Sequence, residues 1–112
     1  MKNVDIKREV EKKGFSVKIS IEENEKVIGR VRLYVLFNEL HDEPFGLMED
    51  LFVSENNRKQ GYGGKLIAAA IDEARKNHCY KFIFTCSRDE LYGWYEQQGF
   101  KKYGLEFRMN LS

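Results

Sequence analysis

The first half of the chain alternates apolar and polar residues in the way that predicts β-strands. Between Ser16 and Glu22 every second residue is Val or Ile and the others are polar, which is the period of a half-buried strand. A longer strand is predicted over residues 27–37, and another over 47–53, after a polar loop that contains the only proline, Pro44. A weaker pattern over residues 4–10 suggests an earlier strand.

The period changes in the second half. From Leu66 to Ala74 the apolar residues recur at helical spacing opposite a charged face, which predicts an amphipathic helix. The short apolar run from Tyr80 to Cys86 predicts a further strand.

Two more elements are predicted after this strand. Ser87 and Glu90 have the spacing of a capping box, which predicts a second helix that continues through Gln98 and ends at Gly99. Residues 100–111 alternate again and predict a last strand. The order of strands, helix, strand, helix and strand predicts an α+β (mixed α/β) fold in a single domain over residues 1–112.

Composition narrows the classes of partner. The 19 Lys and Arg residues nearly balance the 18 Asp and Glu residues, so no net field draws the molecule to nucleic acid or to an anionic membrane. The chain has two cysteines, no apolar N-terminal stretch, and no apolar run near the 18 or so residues that span a bilayer. We expect a soluble protein in the reducing cytoplasm.

A glycine-rich turn, Gly61–Gly64, leads directly into the predicted first helix. The first amides of a helix have no intrahelical partner, and the helix dipole places partial positive charge there, so this end favours an anion. Glycines let the backbone approach the anion, and the basic residues Arg58, Lys59 and Lys65 add charge. The turn therefore predicts a phosphate-binding site.

Three kinds of phosphate loop can be compared here. A P-loop would need glycine at position 59 and a hydroxyl residue at position 66, where the chain has Lys59 and Leu66. A dinucleotide fingerprint that starts at Gly61 and Gly63 meets Leu66 where its third glycine should be. The form Arg-x-x-Gly-x-Gly is met by Arg58, Gly61 and Gly63.

Two segments together resemble the motifs of the GNAT superfamily of N-acetyltransferases. Residues 53–66 look like its acetyl-CoA motif, and Trp94–Phe100 looks like its second motif. The resemblance covers residues 47–100. Within the superfamily, the sequence is most similar to that of glucosamine-6-phosphate N-acetyltransferases. It implies a GNAT-like acyl-CoA N-acyltransferase fold, in which a central, mostly antiparallel sheet carries two main helices. The two helices that usually follow the first strand are missing from the pattern between Met1 and Glu25.

The resemblance also implies how acetyl-CoA is held as acyl donor, without a metal. The main chain of Leu51, Phe52 and Val53 would pair with the pantetheine arm like an added strand. The diphosphate would lie in the loop that consists of Arg58, Lys59, Gln60, Gly61, Tyr62, Gly63, Gly64 and Lys65.

Transfer to a primary amine by direct attack requires a base for the ammonium and an acid for the departing thiolate. Tyr95 stands where the family's tyrosine lies near the sulfur, and is the candidate acid. Glu49 or Asp50 is the candidate base, and Glu49 is preferred. Strand alternation would send these two carboxylates to opposite faces, and burial would raise the pKa of the inner one.

Several alternatives remain open from the sequence. The acceptor is a small amine or amino sugar, or an amine of a protein or peptide, and a non-catalytic module that binds acyl-CoA is a third reading. His41 and His78 lack the spacing of metal ligands, and Cys86 is read as a packing residue. The last strand, rich in Phe107 and Met109, could pair or exchange between subunits of a homodimer.

Overall fold

Residues 2–112, which the computed structural model describes, contain one four-stranded sheet with two helices. The strands are β1 (Phe15–Glu23), β2 (Lys26–Leu36), β3 (Phe45–Val53) and β4 (Phe82–Ile83), and the helices are α1 (Tyr62–Lys76) and α2 (Tyr92–Gln97). The first three strands form an antiparallel meander, and β4 pairs with β3 in parallel. The predicted α+β class, with its mostly antiparallel sheet and two main helices, is confirmed.

β1 and β2 join in a two-residue turn at Asn24 and Glu25. Both residues have positive φ, 52° and 64°, which is the conformation of the hairpin turn whose twist matches that of the strands. The three strands that alternation predicted most clearly all form, and β3 begins two residues before the predicted start at Leu47.

The core lies between one face of the sheet and the apolar stripe of α1. Its buried members, each at most 5% exposed, come from β2, β3 and α1 and are Ile28, Val31, Leu33, Val35, Met48, Leu66, Ile67, Ala70 and Ala74. The apolar residues whose helical spacing predicted α1 are therefore the residues that contact the sheet.

Four predictions about the elements are wrong in whole or in part. The strand expected over Tyr80–Cys86 pairs only at Phe82 and Ile83. The capping box does not form, because the side chain of Glu90 accepts a hydrogen bond from Arg88 (2.8 Å) and the chain enters α2 through a 3-10 turn, Asp89–Leu91. The strands expected near the two chain ends are also not formed, since residues 2–14 and 98–112 lie outside every helix and strand.

The end of α2 follows the prediction. Gly99 has a φ of +101° just after the helix, a conformation that glycine adopts without a steric penalty. In the described part of the chain, no α-helix precedes α1, which agrees with the missing helical period before Glu25. Neither α1 nor α2, the helices of residues 2–112, is long and apolar enough to cross a bilayer.

Candidate active site

The N-terminus of α1 opens onto solvent. Gly61 is the N-cap residue, with a φ of 84°, and a Cβ placed on it would meet nothing within 4 Å. The amide of Lys65 donates to the carbonyl of Gly61 (3.2 Å), so the first helical hydrogen bond closes here and the amides of Tyr62, Gly63 and Gly64 precede it. These amides and the helix dipole give this end the chemistry of an anion site.

The second helix flanks this end of α1. A Cβ on Gly63 would lie 3.4 Å from the ring of Trp94, and one on Gly64 would lie 3.7 Å from the side-chain oxygen of Gln98. The small residues of the loop therefore let α2 approach α1. The two segments that resemble family motifs meet in space.

The basic residues of the loop surround the same end. The Nε of Arg58 donates to the carbonyl of Val53 (2.9 Å), and its guanidinium lies 5.8 Å from the centre of the Phe52 ring. Lys59 and Gln60 are exposed, and the ammonium of Lys65 lies over the ring of Tyr62. Within residues 2–112, none of these cations is in a salt bridge, so their charge is available to a ligand.

β3 and β4 separate before β3 ends. Their pairing is confined to Gly46 with Phe82 and Leu47 with Ile83, and the amide of Gly46 donates to the carbonyl of Lys81 (2.9 Å). In the part of the chain that the structure describes, β3 has no strand neighbour on this side beyond Leu47. Apart from the hydrogen bond that the carbonyl of Val53 accepts from Arg58, this side of residues 51–53 is left to an extended ligand that adds as a strand.

A β-bulge interrupts the pairing of β2 with β3. Arg30 pairs with Phe52 and Arg32 with Glu49, so Val31 stands opposite two residues of β3, and Asp50 has a φ of 64°. The extra residue breaks the alternation, and Glu49 and Asp50 are both exposed. The prediction that they lie on opposite faces is wrong for this reason, and neither carboxylate is buried.

The bulge gives the two carboxylates different partners. Asp50 accepts two hydrogen bonds from Arg30, at 3.0 Å and 3.1 Å, and Arg32 lies 3.8 Å away. These contacts, first the hydrogen bonds from Arg30 and then the nearby positive charges, lower the pKa of Asp50. Asp50 is therefore held in its ionised form by the two arginines. The side chain of Glu49 forms no such contact in residues 2–112, so it is the carboxylate that is available to a ligand.

Glu49 borders an open cavity of about 600 Å³ on the sheet face away from α1. The cavity is lined by Arg32, Tyr34, Leu36, Leu47, Glu49 and Asp50. Sequence reasoning missed the two arginines of this face, Arg30 and Arg32. Their spacing of two residues within a predicted strand was the signal that they share a face.

Tyr95 is half-buried in an aromatic cluster. Its ring centre lies 4.6 Å from that of Phe84 and 5.0 Å from that of Trp94. Burial raises the pKa of its hydroxyl, the neighbouring Cys86 adds to this, and Arg88 opposes it. Tyr95 and Leu51 pack against the same cluster of buried core residues. The candidate acid and the open end of β3 are therefore positioned by the same part of the core.

The remaining candidates have structural contacts. The thiol of Cys86 lies 3.5 Å from the carbonyl of Arg88, and its own carbonyl accepts a hydrogen bond from the Tyr92 hydroxyl (3.4 Å). His41 stacks on Tyr80, with ring centres 3.8 Å apart. Among residues 2–112, no three side chains of the metal-binding types are grouped.

Comparison with known proteins identifies a family whose sequence pattern this chain matches. Residues 3–100 match the family described as Acetyltransferase (GNAT) family. An uncharacterized N-acetyltransferase of Bacillus subtilis (strain 168) is 33% identical over 89 residues, which are 78% of this chain and 60% of that protein. A glucosamine 6-phosphate N-acetyltransferase of Candida albicans is 34% identical over 61 residues, 54% of this chain and 40% of that protein. The chain thus spans 60% and 40% of the length of these relatives.

Solved structures agree on the fold. The glucosamine-6-phosphate N-acetyltransferase of Arabidopsis thaliana superposes with a TM-score of 0.81 at 24% identity, over 87% of this chain and 67% of that one. A putative acetyltransferase from Agrobacterium tumefaciens str. C58 superposes with a TM-score of 0.79 at 24% identity, over 85% and 68%.

Proposed function

We propose, on the premise that the chain belongs to the acetyltransferase (GNAT) family, that it transfers an acetyl group from acetyl-CoA to a primary amine. The observation that carries the proposal is the continuity of two open surfaces. The unpaired edge of β3 leads to the uncapped start of α1 at Gly61. The pantetheine arm of acetyl-CoA is extended and is followed by a diphosphate. It therefore needs an open strand edge and then an anion site, which is the order in which this chain presents them.

The residues present fit the donor. The loop from Arg58 to Lys65 carries three cations and no carboxylate, so two phosphate groups meet only favourable charge there. Gly61 leaves the space above the helix end open. Bound acetyl-CoA supplies a thioester, whose carbonyl carbon is the electrophile.

The chain's own side chains handle the protons. An alkyl ammonium has a pKa near 10, so Glu49 takes a proton from the acceptor, directly or through a water molecule. The amine nitrogen then bonds to the carbonyl carbon while the carbon–sulfur bond breaks. Tyr95 gives its hydroxyl proton to the departing thiolate, and its raised pKa keeps that proton on the phenol at neutral pH. No covalent acyl-enzyme is needed.

We favour a small amine or an amino sugar as acceptor, in the cavity beside Glu49. Lys18, Arg32 and Glu49 lie side by side across β1, β2 and β3. A carboxylate beside two cations suits an acceptor that joins an amine to an anionic group, as an amino sugar phosphate does. The relative from Candida albicans is named for such a substrate.

A protein or peptide amine is the second candidate. Its support is the openness of the same cavity, since in the described residues no helix covers the sheet face that bears Tyr34 and Leu47. A peptide could lie across this face, whereas a small sugar uses only the part beside Glu49.

The proposal is tested by titrating acetyl-CoA in a calorimeter and then measuring thiol release with a panel of acceptors. Glucosamine 6-phosphate, glucosamine and a short peptide with a free amine separate the candidates. We expect saturable binding, and turnover fastest with the phosphorylated sugar. Binding without turnover for any amine would identify a non-catalytic acyl-CoA module, and failure to bind acetyl-CoA would reject the proposal.

A further inference from the structure

The backbone of β3 is strained at Asp50, where the regular pairing with β2 is interrupted. Its φ of 64° lies in the left-handed region, which residues other than glycine adopt at a steric cost. Arg32 stands opposite Glu49 and Arg30 opposite Phe52, so the strained residue lies inside the bulge. A strained backbone persists only where the surrounding structure holds it. Some contact of Asp50 must therefore offset the strain.

Arg30 supplies a contact of the right kind. Its Nε and Nη2 donate to the two carboxylate oxygens of Asp50, at 3.0 Å and 3.1 Å. A pair of parallel hydrogen bonds fixes the direction of a side chain as well as its distance. These hydrogen bonds lower the pKa of Asp50 and raise that of Arg30, so both groups stay charged at neutral pH. Arg32 lies 3.8 Å from the same carboxylate, which is beyond hydrogen-bonding distance.

Arg30 also contacts β3 two residues further along. Its guanidinium lies 4.7 Å from the centre of the Phe52 ring, close enough for the cation to be attracted to the ring face. The side chain of Arg30 therefore holds β3 at Asp50 and at Phe52, which are two separate points of one strand.

The effect of these contacts is local. The side chains of Arg30 and Asp50 are 36% and 41% exposed, and an ion pair this exposed adds little to the free energy of unfolding. The pair does decide which way β3 presents its side chains. It draws Asp50 to the face of the sheet that bears Glu49, where regular alternation would have turned one of these neighbours inward.

We propose that Arg30 is a positioning residue of this site. It holds the bulge at Asp50, and the bulge keeps Glu49 directed into the acceptor cavity. Arg30 itself takes no part in the proton transfer. The inference rests on the proposed function, in which Glu49 takes a proton from the acceptor amine.

A double-mutant cycle with Asp50→Gly tests this role. Arg30→Gln should lower kcat about tenfold with little change in the KM for the amine, because a small displacement of a base costs rate steeply. Glycine adopts a positive φ without a steric penalty, so the bulge of Asp50→Gly needs no such support. In that background, Arg30→Gln should lower kcat by less than about threefold. Arg108→Gln, which breaks an exposed ion pair with Glu106 outside every strand, is the control and should keep the parent kcat.

Nuclear magnetic resonance observes the bulge without any turnover. The coupling between the amide and α protons of Asp50 reports its φ, and in Arg30→Gln it should move to the value of an extended strand. Absence of turnover in the parent would count against the proposed function, whereas this coupling would still decide the role of Arg30. An unchanged coupling in Arg30→Gln, or an equal loss of kcat with and without Asp50→Gly, would overturn the proposal.

Discussion

At the scale of single residues, two neighbouring carboxylates have different surroundings. Asp50 is tied to Arg30 by two hydrogen bonds, and Glu49 faces the open cavity. The sequence predicted that one of the pair serves as base. It could not decide between them on physical grounds, because the bulge that turns both outward depends on the register of β2 against β3.

Replacing Glu49 by Gln should lower kcat about 100-fold at pH 7, the usual contribution of a positioned base. The deficit should shrink as pH rises towards 9, because more of the acceptor amine is then already deprotonated in solution. Steady-state thiol release across this pH range measures both effects. Glu96→Gln, an exposed residue of α2, is the matched control, and equal behaviour of the two variants would remove Glu49 from the mechanism.

Tyr95→Phe should lower kcat by about 100-fold with little change in the KM for acetyl-CoA, because the hydroxyl acts only as the thiolate departs. The raised pKa of Tyr95 means that the hydroxyl keeps its proton throughout the neutral range. The loss in the variant should therefore be constant from pH 7 to 9. Tyr92→Phe, one turn earlier on α2, serves as control and should keep the parent kcat.

Gly61→Glu should weaken acetyl-CoA binding at least tenfold more than Gly61→Gln. Both variants strain the backbone equally at the φ of 84°, so their difference isolates the charge beside the diphosphate. Calorimetry at low and high salt is the measurement, and the gap should narrow as salt screens the charge. Equal affinities in low salt would place the diphosphate elsewhere.

At the scale of elements, the helix α1 was the most predictable and β4 the least. The period of α1 is visible in its own residues, from Leu66 to Ala74, because one face meets one sheet. The extent of β4 depends on where β3 turns away from it, and no residue between Tyr80 and Cys86 encodes that point. A local sequence pattern predicts which face of a strand or helix is buried. The length over which two strands pair depends also on the partner strand.

Leu66→Ala should lower the free energy of unfolding by about 2–5 kcal/mol. The side chain of Leu66 is only 1% exposed, so its truncation leaves a cavity in the core. Urea denaturation followed by circular dichroism measures the change. Lys76→Ala, at the exposed end of the same helix, should leave the free energy of unfolding within about 0.5 kcal/mol of the parent. A comparable loss in both variants would mean that the contact of α1 with the sheet is not the main source of stability.

At the scale of the whole molecule, alternation near the chain ends predicted strands that the single chain does not form. Residues 101–111 have the pattern of a half-buried strand, with Phe107 92% exposed. A sequence records which face of a segment is apolar but not what covers it. The candidate donor site stays a prediction. The turn before α1 could be predicted from its own residues, because Gly61 has a φ of 84°, which glycine adopts without a steric penalty.

A nuclear magnetic resonance titration with coenzyme A tests the central claim over the whole molecule. The amide resonances of Tyr62, Gly63 and Gly64 should shift most, together with those of residues 51–53. Pantetheine, which lacks the diphosphate, should move only the second group. If coenzyme A binds while the amides at the start of α1 keep their positions, the account of the site is contradicted.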